Sequence, residues 1–185
     1  YDAVQQATSS LSVAAAGHFE ETNPAITADP QWHGVMAPEA GGEGLYESDA
    51  VGSSLAFTFR GHSVDLIARR SPSDGRLAVT IDGRNVAGLP TDGQGRSYVD
   101  LHAPEVEWQV RHSIASGLAP GQHTLQLSVS SGERTLGNVD AFEVNAGRPP
   151  AFPTSLVALL GFALIAAGVG LVWDLRTRPL SLIHI

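Results

Sequence analysis

The chain has 185 residues and a formal charge of −8, with no cysteine, so disulfides and thiolate metal sites are excluded. All eleven basic residues are arginine, scattered along the chain. An acidic chain without clustered cations argues against nucleic acid as a partner, because binding phosphates requires a positive patch.

Residues 1–17 lack the basic and apolar regions of a signal peptide, and Ser9–Gly17 is a run of small residues, so this segment reads as a linker. Its opening, Tyr1-Asp2-Ala3-Val4, repeats the pattern of Val139-Asp140-Ala141-Phe142 and is expected to be the end of a preceding repeat. His18–Val35 should supply an entry strand and a crossing segment. Ala37–Gly44 reads as a loop and Leu45-Tyr46-Glu47 as a short strand.

The chain is organised around Ser54–Arg84. Leu55, Phe57 and Phe59 alternate with Ala56, Thr58 and Arg60, which puts the apolar side chains on one face of a strand. Val64, Leu66 and Ala68 form a second inward row, with Ile67 directed to the other face; Leu77, Val79 and Ile81 form a third. Ser71–Gly75 has strong turn chemistry, and Asp82-Gly83 closes a tight turn. A Gly-rich loop, Gly88–Arg96, leads to Tyr98–Leu101. Val106, Trp108 and Val110 read as one alternating strand, Leu125, Leu127 and Val129 as another, and Leu136–Val144 as the strand that closes the sheet. Short strands separated by turns predict an all-β, two-sheet antiparallel sandwich over residues 18–146.

Four segments carry a resemblance. Ser54–Gly61 (SLAFTFRG after Ser54's neighbour Ser53), Gly75–Gly83 (GRLAVTIDG), Leu118–Leu125 (LAPGQHTL) and Val139–Phe142 (VDAF) resemble, in this order and spacing, the galactose-binding-like jelly-roll modules of bacterial surface proteins and glycoside hydrolases. The resemblance implies the jelly-roll fold, and a scaffold that hosts glycan binders, protein binders and spacers alike. It also implies a structural calcium ion held by oxygen ligands of the first and last strands. Glu20, Glu21 and Asp140 are the matching candidates; the alternative is that Glu20 and Glu21 are a solvated face and that Asp140 bonds backbone groups. His123, entering a strand after a turn, matches a packing histidine.

A glycan site requires an exposed aromatic ring with polar neighbours. Trp32 and Trp108 read as core. Tyr98, flanked by Arg96 and Asp100, and Tyr46 are the candidate ligand-binding residues. The seven histidines have no compact ligand spacing, and no nucleophile elbow, phosphate loop or dinucleotide fingerprint occurs, so no enzymatic activity and no catalytic residue is expected.

Residues 147–151, containing Arg148-Pro149-Pro150, form a stiff joint. Residues 152–173 are apolar, and about 20 such residues cross the ~30 Å hydrocarbon layer, so a single transmembrane helix in contact with lipid is expected. Trp173 suits the membrane interface, and Arg176 and Arg178 in the flank 174–179 suit the cytoplasmic side, which leaves the sandwich extracellular on the cell membrane. Leu180–Ile185 (LSLIHI) matches the translation of a transposase adapter used in library preparation and is expected to be of that origin. The sequence therefore predicts a membrane-anchored binding or adhesion module for a glycan or a surface protein. A spacer, or an accessory domain of a surface enzyme, is the alternative.

Overall fold

A computed structural model describes residues 12–147, which belong to one compact unit. The strands are β1 (Gly17–Glu20), β2 (Ile26–Ala28), β3 (His33–Met36), β4 (Gly44–Ser48), β5 (Ser54–Arg60), β6 (Ser63–Arg70) and β7 (Arg76–Ile81). They continue as β8 (Arg84–Asn85), β9 (Tyr98–Asp100), β10 (Glu107–Ser116), β11 (Gln122–Val129), β12 (Gly137–Val139) and β13 (Ala141–Asn145). A four-stranded sheet has the order β1-β13-β6-β10, and a six-stranded sheet has the order β2-β5-β11-β7-β8 with β9 also paired to β7. All strand pairings are antiparallel.

These two sheets bury a common core. Leu55, Phe57 and Phe59 of β5 and Leu125 and Leu127 of β11 meet Val64 and Leu66 of β6 and Phe142 of β13, all within 1 % of full burial. The rings of Phe57 and Phe142 stack across the layers with centroids 4.4 Å apart, and Phe59 and Phe19 flank Phe57 at 5.6 and 5.8 Å. Arg60 is exposed, and Ile67 packs on the opposite face of its sheet. The three rows read around Ser54–Arg84 therefore have the predicted register. Asp82 and Gly83, with φ of 52° and 73°, make the turn between β7 and β8, a backbone that glycine adopts without a Cβ clash.

Several expectations need correction. A third sheet, β12-β4-β3, adds to the two predicted. The entry segment His18–Val35 is not one strand and a crossing but three short strands, each placed in a different sheet. Leu136–Val144 is likewise broken at Asp140: β13 pairs β6, whereas β12 leaves to pair β4.

The alternation of Val106, Trp108 and Val110 is also interrupted. Gln109 adopts φ 52° in a bulge between Glu107 and Val110. Val106 is 54 % exposed, and Trp108 turns away from the main core to cover a satellite cluster of Ala37, Ala40 and Leu45, with the Arg69 guanidinium 5.5 Å from its ring centroid. Trp32 is core, as expected, at 6 % exposure. Among the described residues no helix is long and apolar enough to cross a membrane. The linker up to residue 11, the joint from Arg148, the apolar run 152–173, the flank 174–179 and the tail 180–185 lie outside the described residues.

Candidate functional site

The end of β1 meets the break between β12 and β13. The backbone N–H of Glu21 donates to the Asp140 carbonyl at 3.0 Å, and the Asp140 N–H donates to the Ile67 carbonyl at 3.0 Å. Because the chain turns at Glu21, Glu20 and Glu21 do not diverge as consecutive strand residues would. One carboxylate oxygen from each of Glu20, Glu21 and Asp140 lies within 4.8 Å of the others.

Glu20 Oε2, Glu21 Oε2 and Asp140 Oδ1 are buried and have no hydrogen-bond partner among the described residues. The side chains that carry two of them are almost fully enclosed: Glu21 is 8 % exposed and Asp140 1 %. Burial, reinforced by the charge of Glu20, pushes the carboxyl groups of both Glu21 and Asp140 above their ordinary values. His18 Nε2 lies 3.2 Å from the other Glu20 oxygen, Oε1, and leaves these three oxygens unpartnered. A hard divalent cation supplies a partner, since Ca²⁺ takes oxygen ligands at about 2.3–2.6 Å and opposite ligands then stand about 5 Å apart. The three residues fit such an ion in donor type, spacing and burial.

The second region lies at the turn that joins β6 to β7. Here a polar cleft of about 250 Å³ is bounded by Arg76, Asp100, His102, Glu133 and Arg134. Arg76 donates from Nε to Asp100 Oδ2 at 3.0 Å, while its guanidinium lies 4.5 Å from the centroid of the Tyr98 ring. Burial would raise the Asp100 carboxyl, but the His102 N–H and Arg76 outweigh it and hold the group below its usual value, hence ionised. Arg134 donates from Nε to the Pro72 carbonyl at 2.8 Å, which places its guanidinium at the rim. The cleft thus combines fixed donors and acceptors suited to a hydroxyl-rich ligand.

Of the predicted ligand residues, Tyr98 and Asp100 come together on β9. The Tyr98 ring is half-buried with Arg76 over it, so it is not a free stacking platform. Arg96 is engaged by Asp92 through Nε at 2.8 Å and the backbone N–H at 2.9 Å, and does not line the cleft. Tyr46 is on β4 of the third sheet, packed against the main core and over Gly34, and belongs to neither region. The sequence reading missed Arg76, which occupies an ordinary exposed strand position, and His102 and Arg134, which reach the cleft from separate loops. His123 is 9 % exposed and has the predicted packing position, against the Phe59 ring at 5.7 Å between centroids.

Neither a family profile nor a curated protein matches the sequence. Solved structures do share the fold. A family 35 carbohydrate-binding module from Clostridium thermocellum matches with a TM-score of 0.50 at 13 % identity, over 70 % of this chain and 98 % of the module. A family two carbohydrate esterase from Cellvibrio japonicus matches with a TM-score of 0.51 at 14 % identity, over 71 % of this chain and 34 % of the esterase. A two-domain esterase active on acetylated mannans, co-crystallised with mannopentaose, matches with a TM-score of 0.53 at 10 % identity, over 71 % of this chain and 37 % of that protein. The chain thus spans about a third of the length of these esterases. At these identities the likeness establishes the fold alone, a β-sandwich shared with that module and with a domain of each esterase.

Proposed function

We propose that the chain is a non-catalytic surface module that binds a glycan through the Arg76–Asp100 cleft, with a calcium ion held by Glu20, Glu21 and Asp140 as a structural brace. The apolar run 152–173 anchors it at the cell membrane with the sandwich outside. The observation that carries the binding reading is the convergence of Arg76, Asp100 and His102 on one polar cleft at a loop-rich end of the sandwich, where recognition can vary without disturbing the core. The match to nearly the whole of a carbohydrate-binding module, against a third of each esterase, supports an accessory role. When bound, the ion would neutralise the three carboxylates and join the end of β1 to the β12–β13 break.

In this reading Asp100 accepts from sugar hydroxyls and Arg76 donates to them, with Tyr98 holding the guanidinium in place. The test is a glycan array on the full chain, followed by titration of each hit. Micromolar to millimolar binding is expected, equivalent to about 4–8 kcal/mol. Asp100→Ala and Arg76→Ala should abolish it with little change in melting temperature, and Tyr98→Ala should weaken it. Absence of any hit, or unaltered affinity in Asp100→Ala, moves the spacer reading to the front.

A further inference from the structure

Residues Ala37–Gly44 lie against the three carboxylates. Gly41 donates its N–H to Asp140 Oδ2 at 3.1 Å. A Cβ on Gly41 would stand 2.9 Å from Asp140 Oδ1 and 3.0 Å from Glu20 Oε2, two of the three unpartnered oxygens. A Cβ on Gly42 would be 3.4 Å from Glu20 Oε2, and one on Gly44 would be 3.2 Å from Glu21 Oε1. Each of these glycines therefore abuts a carboxylate of the cluster, and the space a Gly41 side chain would fill lies between the oxygens that face a cation.

The segment is held differently on its other side. Ala37 and Ala40 pack with Leu45 under Trp108, and the Gln109 side-chain amide donates from Nε2 to the Glu39 carbonyl at 3.1 Å. Gly42 and Glu43 adopt successive positive φ values of 58° and 63°, and Gln109 itself has φ 52°. A left-handed backbone is strained in a non-glycine residue such as Glu43 or Gln109, because its Cβ crowds the adjacent carbonyl oxygen. Strained residues thus hold the loop over a cluster of like charges, to which a single N–H bond connects it.

We propose that Gly41, Gly42 and Gly44 are positioning residues of a clasp that closes over the cation and completes its site, with Gln109 as the latch. This rests on the calcium reading of Glu20, Glu21 and Asp140. With the ion bound, its charge cancels the repulsion beneath the loop. Without it, the loop opens at Glu39 and Glu43 while the sandwich stays folded. The clasp also walls a trough of about 260 Å³ on the outer face of the four-stranded sheet, lined by His18, Ile67, Gln109, Arg111 and Glu143, so cation loading shapes that surface too.

The experiment uses the full chain in mild detergent, with Ca²⁺ or with a chelator. Calcium affinity is measured by titration calorimetry, and cleavage after Glu39 and Glu43 by glutamyl endopeptidase is followed by mass spectrometry. In the wild type, Ca²⁺ should slow cleavage at these two bonds by about 10-fold or more, as local opening is suppressed. Gly41→Ala should lower calcium affinity by at least about 10-fold and keep its melting temperature in chelator. Gln109→Ala leaves the carboxylates intact, so it should lower affinity only a few-fold yet speed cleavage after Glu39 in Ca²⁺. If Gly41→Ala fails to fold, Gln109→Ala decides. Calcium binding by the wild type with no change in cleavage, wild-type affinity in Gly41→Ala, or a Gln109→Ala variant cleaved like the wild type overturns the clasp and leaves the cation site standing. No calcium binding by the wild type overturns the cation site itself.

Discussion

His123 shows how one side chain ties two strands together and makes stability depend on pH. Its Nδ1 lies 2.7 Å from Asp82 Oδ2 and its Nε2 lies 2.8 Å from the Ala119 carbonyl. Both partners are acceptors, so only the imidazolium can donate to both. The hydrogen bond to Asp82, then that to Ala119, raises the imidazole above its ordinary value of 6.5. Asp82 is held below its ordinary value: burial opposes this, but the bonds from His123 and the Thr124 N–H prevail. A histidine with a raised folded value contributes stability that is fully present below the unfolded value and is lost as pH rises through the folded one. His112 acts in the opposite sense, because burial and then Arg70 lower its value and its contribution is lost as pH falls. The two are separated by substitution. Between about pH 6 and about pH 9, the melting temperature of the wild type should fall relative to that of His123→Gln. Parallel curves for the two proteins would show that the imidazolium pair contributes nothing.

The strands β12 and β13 are one hydrophobic run in the sequence and two elements in the fold, and Asn138 is the reason they can separate. The residue is fully buried. Its Oδ1 accepts the Arg69 N–H at 2.7 Å and its Nδ2 donates to the Arg69 carbonyl at 3.1 Å, so a side-chain amide replaces the ladder that β13 would otherwise have extended along β6. The backbone of β12 is then free to pair β4. Arg69 is fixed further by ion pairs at 2.7 Å with both Glu47 and Asp74, which join β6 to β4 and to the turn before β7. Asn138→Ala leaves a buried donor and a buried acceptor unpaired and should cost about 2–4 kcal/mol in denaturant unfolding. A loss below about 0.5 kcal/mol would mean that other groups or water replace both bonds.

At the scale of the whole molecule, the proposed arrangement is a folded sandwich followed by a membrane anchor. The sandwich buries its aromatic core within residues 12–147, and the run Leu156–Trp173 contains no charged residue. The full chain should sediment with membranes and require detergent for release, whereas a chain ending at Gly147 should remain in the soluble fraction. Protease added to intact cells should remove the sandwich and leave the segment after Trp173 protected. Cleavage confined to that segment would reverse the orientation, and a full chain recovered without detergent would remove the anchor.

Strand periodicity is a local property, and it was readable directly. The alternating rows of β5, β6, β7 and β11 and the Asp82-Gly83 turn follow from side chains that must face a core every second residue and from a backbone that only certain residues adopt. The grouping of Glu20, Glu21 and Asp140 came from the family resemblance, and the fold brings the three together. Other features required the tertiary structure, because they depend on which strand lies beside which. The third sheet exists because Asn138 substitutes for a ladder, and Trp108 leaves the main core because the bulge at Gln109 reverses its face. The glycine run at Gly41, Gly42 and Gly44 resembles any loop until it is set against three carboxylates distant in sequence. Arg76, Asp100, His102 and Arg134 carry no common motif, since they are drawn from separate strands and loops and acquire a shared role only where the sheet ends converge.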